Sequence, residues 1–212
     1  MKFKRLPKGD APEVRPLLAE KERVRPLTLS DHSSRGALGS ESARSVVAEA
    51  VPRTHRERAL DLVHKASDDG YDLDLACQTL HRTTTDSAVV VVVVTDSGTF
   101  GCFLSRLPVK RDKTPDVEAS LFRLASDESF WIDYNLHTDD PSAFVVAART
   151  DAFLAVGLDA KSGGAALRID ASLSSGSSYV SALFKSPRLH AAESDDFEIL
   201  DFELYALQPH RR

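Results

Sequence analysis

Six consecutive valines, Val89 to Val94, constrain this chain more than any other feature in it. Valine carries two heavy atoms on Cβ, which suits a pleated strand and loses side-chain freedom in a helix. The run is far too short to cross a bilayer. It offers no polar residue to either side of the pleat, so a strand here must be covered on both faces. Thr95-Asp96-Ser97-Gly98 then reads as a turn. Thr99-Phe100-Gly101-Cys102-Phe103-Leu104 reads as a second strand, closed by Arg106-Leu107-Pro108. Together they predict a hairpin at the centre of an antiparallel sheet.

Residues 1–34 hold Pro7, Pro12, Pro16 and Pro26 among many charges, with little apolar periodicity, and predict an extended arm with one helical turn over 17–23. Order is expected from Ser40, where Ser40-Glu41 has helix-start chemistry and Ala43, Val46, Val47 and Ala50 follow at helical spacing before Pro52. Leu60, Val63 and His64 suggest a second helix over 56–66, with His64 a surface or partly packed residue. A third helix over 73–81 turns Leu75, Ala76 and Leu80 inward, with Cys77 near that face. Residues 110–115 read as a charged loop. Beyond it, 117–124 alternates as a strand, with Glu118, Ser120, Phe122 and Leu124 on one side and Ala119, Leu121 and Arg123 on the other. Further strands are expected over 130–134, 143–148, 152–157 and 165–170, and one long strand over 197–207, with 173–178 a loop. Short turns joining strands, after a helical start, predict an α+β chain whose core is an antiparallel two-sheet β-sandwich with flanking N-terminal helices.

Charge is unevenly spread. Residues 1–35 hold nine Lys or Arg against five Asp or Glu, within a chain of net charge −5, so a basic arm precedes an acidic body. Such a body does not suit duplex nucleic acid, which needs a basic face. Lys2, Lys4, Arg5, Lys8, Arg15, Lys21, Arg23 and Arg25 are the arm's cations, placed to meet an acidic partner. Met1-Lys2-Phe3-Lys4-Arg5 is followed by no apolar stretch, so no secretory signal is expected, and Asp10, Glu13, Glu20 and Glu22 argue against a mitochondrial presequence. Two cysteines, Cys77 and Cys102, form no disulfide framework and fit a reducing compartment.

Catalytic motifs are missing from the sequence: there is no GxSxG, HExxH, phosphate loop or dinucleotide fingerprint. The seven histidines are scattered and no CxxC occurs, so no metal or cofactor is expected. Asp68, Asp69, Asp72 and Asp74 are dense enough to suggest calcium but lack EF-hand spacing, and read as a solvated loop.

The order of landmarks from Ala43 to Leu207 resembles the TLDc domain family, the oxidation-resistance proteins. The family's opening helix, proline, second helix and leucine-bearing segment is similar to 43–52, 56–66 and 70–80. Its apolar strand, Asp-containing turn and Phe-Gly strand match Val89 to Val94, Asp96-Ser97-Gly98 and Phe100-Gly101-Cys102-Phe103. Glu118-Ala119-Ser120-Leu121-Phe122, Leu154-Ala155-Val156-Gly157, Ala166-Leu167-Arg168-Ile169-Asp170, Gly176-Ser177-Ser178 and Phe202-Glu203-Leu204-Tyr205 follow in the family's order. The chain departs from the pattern at the longer, glycine-poorer 157–164 turn, at Tyr205-Ala206 where Trp-Gly is usual, and at Lys185 where Asn is usual.

The resemblance implies a domain over 35–208, between the arm and a short basic tail at 209–212. It also implies an interaction module without catalysis, linked to oxidative-stress resistance, that binds the V1 sector of the vacuolar-type proton ATPase and alters its assembly or activity. It is expected to be a cytoplasmic monomer, without direct membrane insertion, reaching the cytosolic face of acidic organelles through that ATPase.

The family-motif positions are Gly101, Glu118, Gly157, Asp170, Gly176, Ser178 and Glu203. Gly101 and Gly157 read as bulges or close backbone approaches. Asp170 and Ser178 suit side-chain bonds to backbone that fix a loop. Glu118 and Glu203, if inward, need partners, and a buried hydrogen-bonded carboxylate is more often structural than catalytic. Two other readings stay open: a peroxide-consuming or hydrolytic enzyme using Glu118, Glu203 or a cysteine, and a stress-linked scaffold for an unrelated partner.

Overall fold

The computed structural model of the chain describes residues 24–30, 33, 35–83, 88–108, 110, 113–114, 118–133, 144–159 and 163–208. The arm cations Lys2, Lys4, Arg5, Lys8, Arg15, Lys21 and Arg23, and the 209–212 tail, lie outside the described residues; Arg25 is described and exposed. In chain order the elements are β1 (Thr28–Leu29), α1 (Glu41–Ala50), β2 (Ala59–Lys65), α2 (Ala66–Asp69), α3 (Leu73–Thr83), β3 (Val89–Thr95), β4 (Gly98–Leu104), β5 (Lys113–Thr114), β6 (Ser120–Arg123), β7 (Glu128–Trp131), β8 (Phe144–Arg149), β9 (Phe153–Asp159), β10 (Ala165–Asp170), β11 (Ser175–Ser177), β12 (Asp196–Glu198) and β13 (Asp201–Gln208). Seven strands form one sheet in the order β1-β2-β13-β3-β4-β6-β7, and six form the other in the order β12-β11-β10-β9-β8-β5. Every pairing is antiparallel except β1 with β2. The fold is the α+β sandwich that the strand pattern predicts.

The valine run is the central strand of the seven, between β13 and β4, and pairs Val91 with Leu204 on one side and with Cys102 on the other. Val89, Val91 and Val93 face the second sheet, in a core shared with Phe100, Cys102, Leu121, Val156, Leu167 and Phe202. Val90 and Val92 face outward into a separate core with Phe103, Phe122, Tyr205 and Leu207, roofed by Val46, Val47 and Ala50 of α1. The strict alternation of a strand divides one apolar run between two cores. Ala119 and Leu121 join the inner core and Phe122 the outer one, as their alternation predicts.

Ser40 caps α1, its hydroxyl accepting the Ala43 N–H at 3.1 Å, a bond worth about 1 kcal/mol. At the other end the orphan carbonyls of the last turn find side chains: Ser120 Oγ donates to Ala50 O, and Arg56 Nε donates to Val51 O at 2.8 Å.

Several expectations are corrected. Residues 59–65 form β2, not a helix: Leu60, Val63 and His64 mimic a helical stripe, but the segment is claimed by β13, with a register shift at Leu204/Tyr205. His64 is thereby buried, 1% exposed, with Nε2 3.1 Å from Gly70 O. Leu75, expected inward, lies on the exposed side of α3 at 37% exposure, because Leu73, Ala76, Cys77 and Leu80 define the packed stripe. Lys113–Thr114, within the predicted charged loop, is a two-residue strand against β8.

Residues 175–177 form a strand rather than a loop, because Gly176 lets the Phe197 ring lie where a Cβ would be. The single closing strand is two strands in different sheets. Ile199 N–H donates to Ser174 O in the second sheet and Leu200 N–H to Val94 O in the first, so the chain changes sheets within one peptide unit. Order also begins before Ser40: Leu27 is buried and Thr28–Leu29 pair with Ala59–Leu60 at the sheet edge.

Candidate functional site

The structure gives the two glutamates read from sequence opposite surroundings. Glu203 lies on β13, flanked in the sheet by Lys65 and Val92, and is 1% exposed. Its two oxygens accept the Ala37 N–H at 2.8 and 3.0 Å, and Oε2 also accepts the Tyr205 hydroxyl at 2.7 Å. Lys65 Nζ stands 3.9 Å from Oε1 and 3.6 Å from Asp201, whose carboxylate in turn accepts the N–H and hydroxyl of Ser67. Burial raises the Glu203 carboxyl above the usual range, opposed by the bonds from Tyr205 and Ala37 and by the Lys65 charge. Burial, with the Glu203 charge next, holds the Tyr205 phenol protonated. Gly36 runs directly over this pair, and a Cβ there would meet Tyr205 Oη and lie 2.8 Å from Glu203 Oε2. The carboxylate is a latch that pins the 36–39 turn onto the outer face.

Glu118 precedes β6 with its side chain 43% exposed, and Oε2 stands 3.5 Å from His55 Nε2. The described contacts do not bring it to Glu203. Both thiols are free and buried. Burial pushes the Cys77 thiol up to about 11, far from the lowered value that makes a thiol reactive. Cys102 faces the inter-sheet core at 0% exposure.

The remaining family positions fix turns or allow close approach. Ser178 Oγ donates to Ala166 O at 2.6 Å and accepts the Leu189 N–H at 2.9 Å, tying the 178–189 loop to β10. Asp170 accepts the Ser175 hydroxyl at 2.8 Å across the β10–β11 turn. Gly101 has no room for a Cβ, which would strike Val91 O and approach the Phe122 ring at 2.8 Å. Gly157 has φ +66° with the Phe184 ring 2.8 Å from where a Cβ would stand, a double demand for glycine. Lys185, where the family favours asparagine, adopts φ +47°, and its Nζ is 2.7 Å from Asp133. Asparagine tolerates that backbone better than lysine.

Two features were not legible in the sequence. A cleft of about 330 Å³ opens beside Gly157 and Ala165, walled by Tyr179, Val180 and the Arg188–Asp195 ion pair of 2.6 Å. Val180 is 72% exposed and Tyr179 39%. Separately, Arg149, 5% exposed, donates to Asp74 at 2.5 Å, and Lys110 bridges Asp74 at 2.9 Å and Asp151 at 2.7 Å. These cations, Lys110 foremost, hold the Asp74 carboxyl below the usual range. No signal of spacing joins residues 74, 110 and 149; the fold does, by setting the first turn of α3 beside the end of β8.

A family model for the TLDc domain matches residues 32–208, from beside β1 to the last residue of β13. The chain belongs to the TLDc domain family. The TLDc match spans both sheets and every family-motif position above, and the family is linked to oxidation resistance. TLDc domains are generally non-catalytic interaction modules. No curated protein matches this chain. Among the described residues of this TLDc chain, no helix is long and apolar enough to cross a membrane, and no group of three or more His, Cys, Asp or Glu is placed to hold a metal ion.

Proposed function

We propose that this TLDc protein is a non-catalytic interaction module that binds the V1 sector of the vacuolar-type proton ATPase and regulates its assembly or activity. In this reading it acts in the cytoplasm, at the cytosolic face of acidic organelles, in support of oxidative-stress resistance. The observation that carries the reading is the family match over 32–208. The site geometry supports it: Glu203 spends its oxygens on Ala37 and Tyr205, and the Cys77 thiol is held protonated. Tyr179 and Val180 meanwhile offer apolar surface beside a cleft, the kind of surface a partner covers. The basic arm supplies a second contact, since a cationic segment that orders on binding grips an acidic subunit surface.

A tagged pull-down from cytosol and membranes tests this, comparing the full chain with one lacking residues 1–23. The cut belongs before Val24, because removing Leu27 and β1 would strip the edge of the first sheet. V1 subunits are expected with the full chain, and in smaller amount with the truncated one. Recovery of no V1 subunit with either form overturns the reading.

A further inference from the structure

Three large apolar side chains stand exposed at one end of the first sheet: Tyr71 at 45%, Leu75 at 37% and Leu200 at 54%. Tyr71 and Leu200 adjoin directly, and Leu75 stands on the helical turn that follows Tyr71. Tyr71 donates its hydroxyl to Leu200 O at 2.8 Å, and Leu75 follows Tyr71 by four residues through the first turn of α3, whose cap Asp72 accepts the Leu75 N–H at 3.1 Å. Leu200 in turn bonds to Val94 at the end of β3, which brings the exposed Asp96 turn beside it.

The rim is acidic. Asp68, Asp72 and Asp96 are exposed, and the cations nearby are already engaged, Lys65 with Asp201 and Lys110 with Asp74 and Asp151. An apolar patch rimmed by carboxylates fits a short segment that alternates cations with apolar side chains. The chain carries one: residues 2–8 are Lys2-Phe3-Lys4-Arg5-Leu6-Pro7-Lys8, with four cations, two large apolar side chains and no acid.

The tether allows the match. The described chain starts at Val24, close to where Thr28 pairs with Ala59 at the beginning of β2, and the patch lies past the other end of that strand. A seven-residue strand covers roughly 20 Å, while the intervening residues 9–23 reach up to roughly 50 Å when extended. Joined in one chain, the two meet at an effective concentration in the millimolar range, so even a weak contact is populated.

We propose that residues 2–8 dock on the Tyr71–Leu75–Leu200 patch of their own chain, Phe3 and Leu6 against the apolar side chains and the cations over Asp68, Asp72 and Asp96. The arm is then held in reserve: any acidic partner that takes it must first displace it from this patch. The inference does not depend on which partner that is.

The test uses the full chain carrying Gly9→Cys with a nitroxide on the new thiol, since Cys77 and Cys102 are buried. Amide NMR signals of Tyr71, Leu75 and Leu200 are expected to broaden, while those of Gly157 and Gly163 at the far hairpin do not. The broadening is lost in the double variant Asp68→Lys, Asp96→Lys and in Leu200→Ser, all exposed positions whose substitution leaves the core untouched. It also weakens in 1 M salt, where screening acts within about 3 Å. Even broadening over the whole surface, or broadening that survives these variants, overturns the proposal. Broadening that disappears on dilution assigns the patch to a second copy and overturns the intramolecular contact.

Discussion

The two faces of the central sheet begin from the same strand and end in different chemistry. Inward, Val89, Val91 and Val93 meet a second sheet, and apolar side chains from both layers fill the space. Outward, Val90 and Val92 are covered, among the described residues, by a ten-residue helix, the turns around it and Leu27. A sheet registers against a sheet over its whole area, whereas a short helix and a 36–39 turn bring little apolar surface and need fixed points. Those points are polar: Glu203 to Ala37, Tyr205 to Glu203 and Ser120 to Ala50. The difference teaches that a buried, hydrogen-bonded carboxylate belongs to the weaker cover of a sandwich as readily as to an active site.

Leu121→Ala on the inner face should have the largest effect, about 3 kcal/mol lost, since a rigid sheet-on-sheet core cannot collapse around the cavity; chemical denaturation measures it. Gly101→Ala strains the outer face, where the added methyl meets the Val91 backbone and the Phe122 ring, with about 2 kcal/mol lost. An unchanged midpoint there would show that the outer layer yields freely. Tyr205→Phe removes one donor to Glu203 and should cost about 1 kcal/mol.

The smallest effect is in pH, where two carboxyls act with opposite sign. The Glu203 carboxyl is raised in the folded state, so the fold binds that proton more tightly than the unfolded chain does. Its contribution therefore favours folding increasingly as pH falls through the folded value toward the ordinary glutamate value of about 4.3. The lowered Asp74 carboxyl acts oppositely: its contribution is present above the ordinary aspartate value of about 3.9 and is lost as pH falls through the folded value. Stability curves of the wild type and Glu203→Gln should thus diverge above about pH 4.3, and Asp74→Asn should flatten only the acid limb.

The sequence carried the inner face plainly, because the unbroken β-branched run at 89–94 and the alternation over 117–124 are local signals and sheets obey them. It misled at 59–65, where leucines and a histidine at mixed spacing fit a helix as well as a strand, and only pairing with β13 decides. It misled again at 197–207, where one alternating run changes sheets at Ile199 and Leu200. The site divides in the same way. Glu203 was visible as a residue that would need a partner, but that partner is a backbone N–H 166 positions away, from a turn with no side-chain signature. The cleft beside Tyr179 and the Asp74–Arg149 clamp are products of tertiary packing, which no spacing announces.

The account rests on Glu203 serving the fold rather than a reaction. The most direct measurement is a urea unfolding curve of Glu203→Ala alongside V1 capture by the same folded preparation. Removing the carboxylate leaves the Ala37 N–H and the Tyr205 hydroxyl without their acceptor, and about 3 kcal/mol of stability should be lost. The fraction that remains folded should capture V1 as the wild type does. A variant as stable as the wild type that has lost its protective or V1-binding activity would contradict the account.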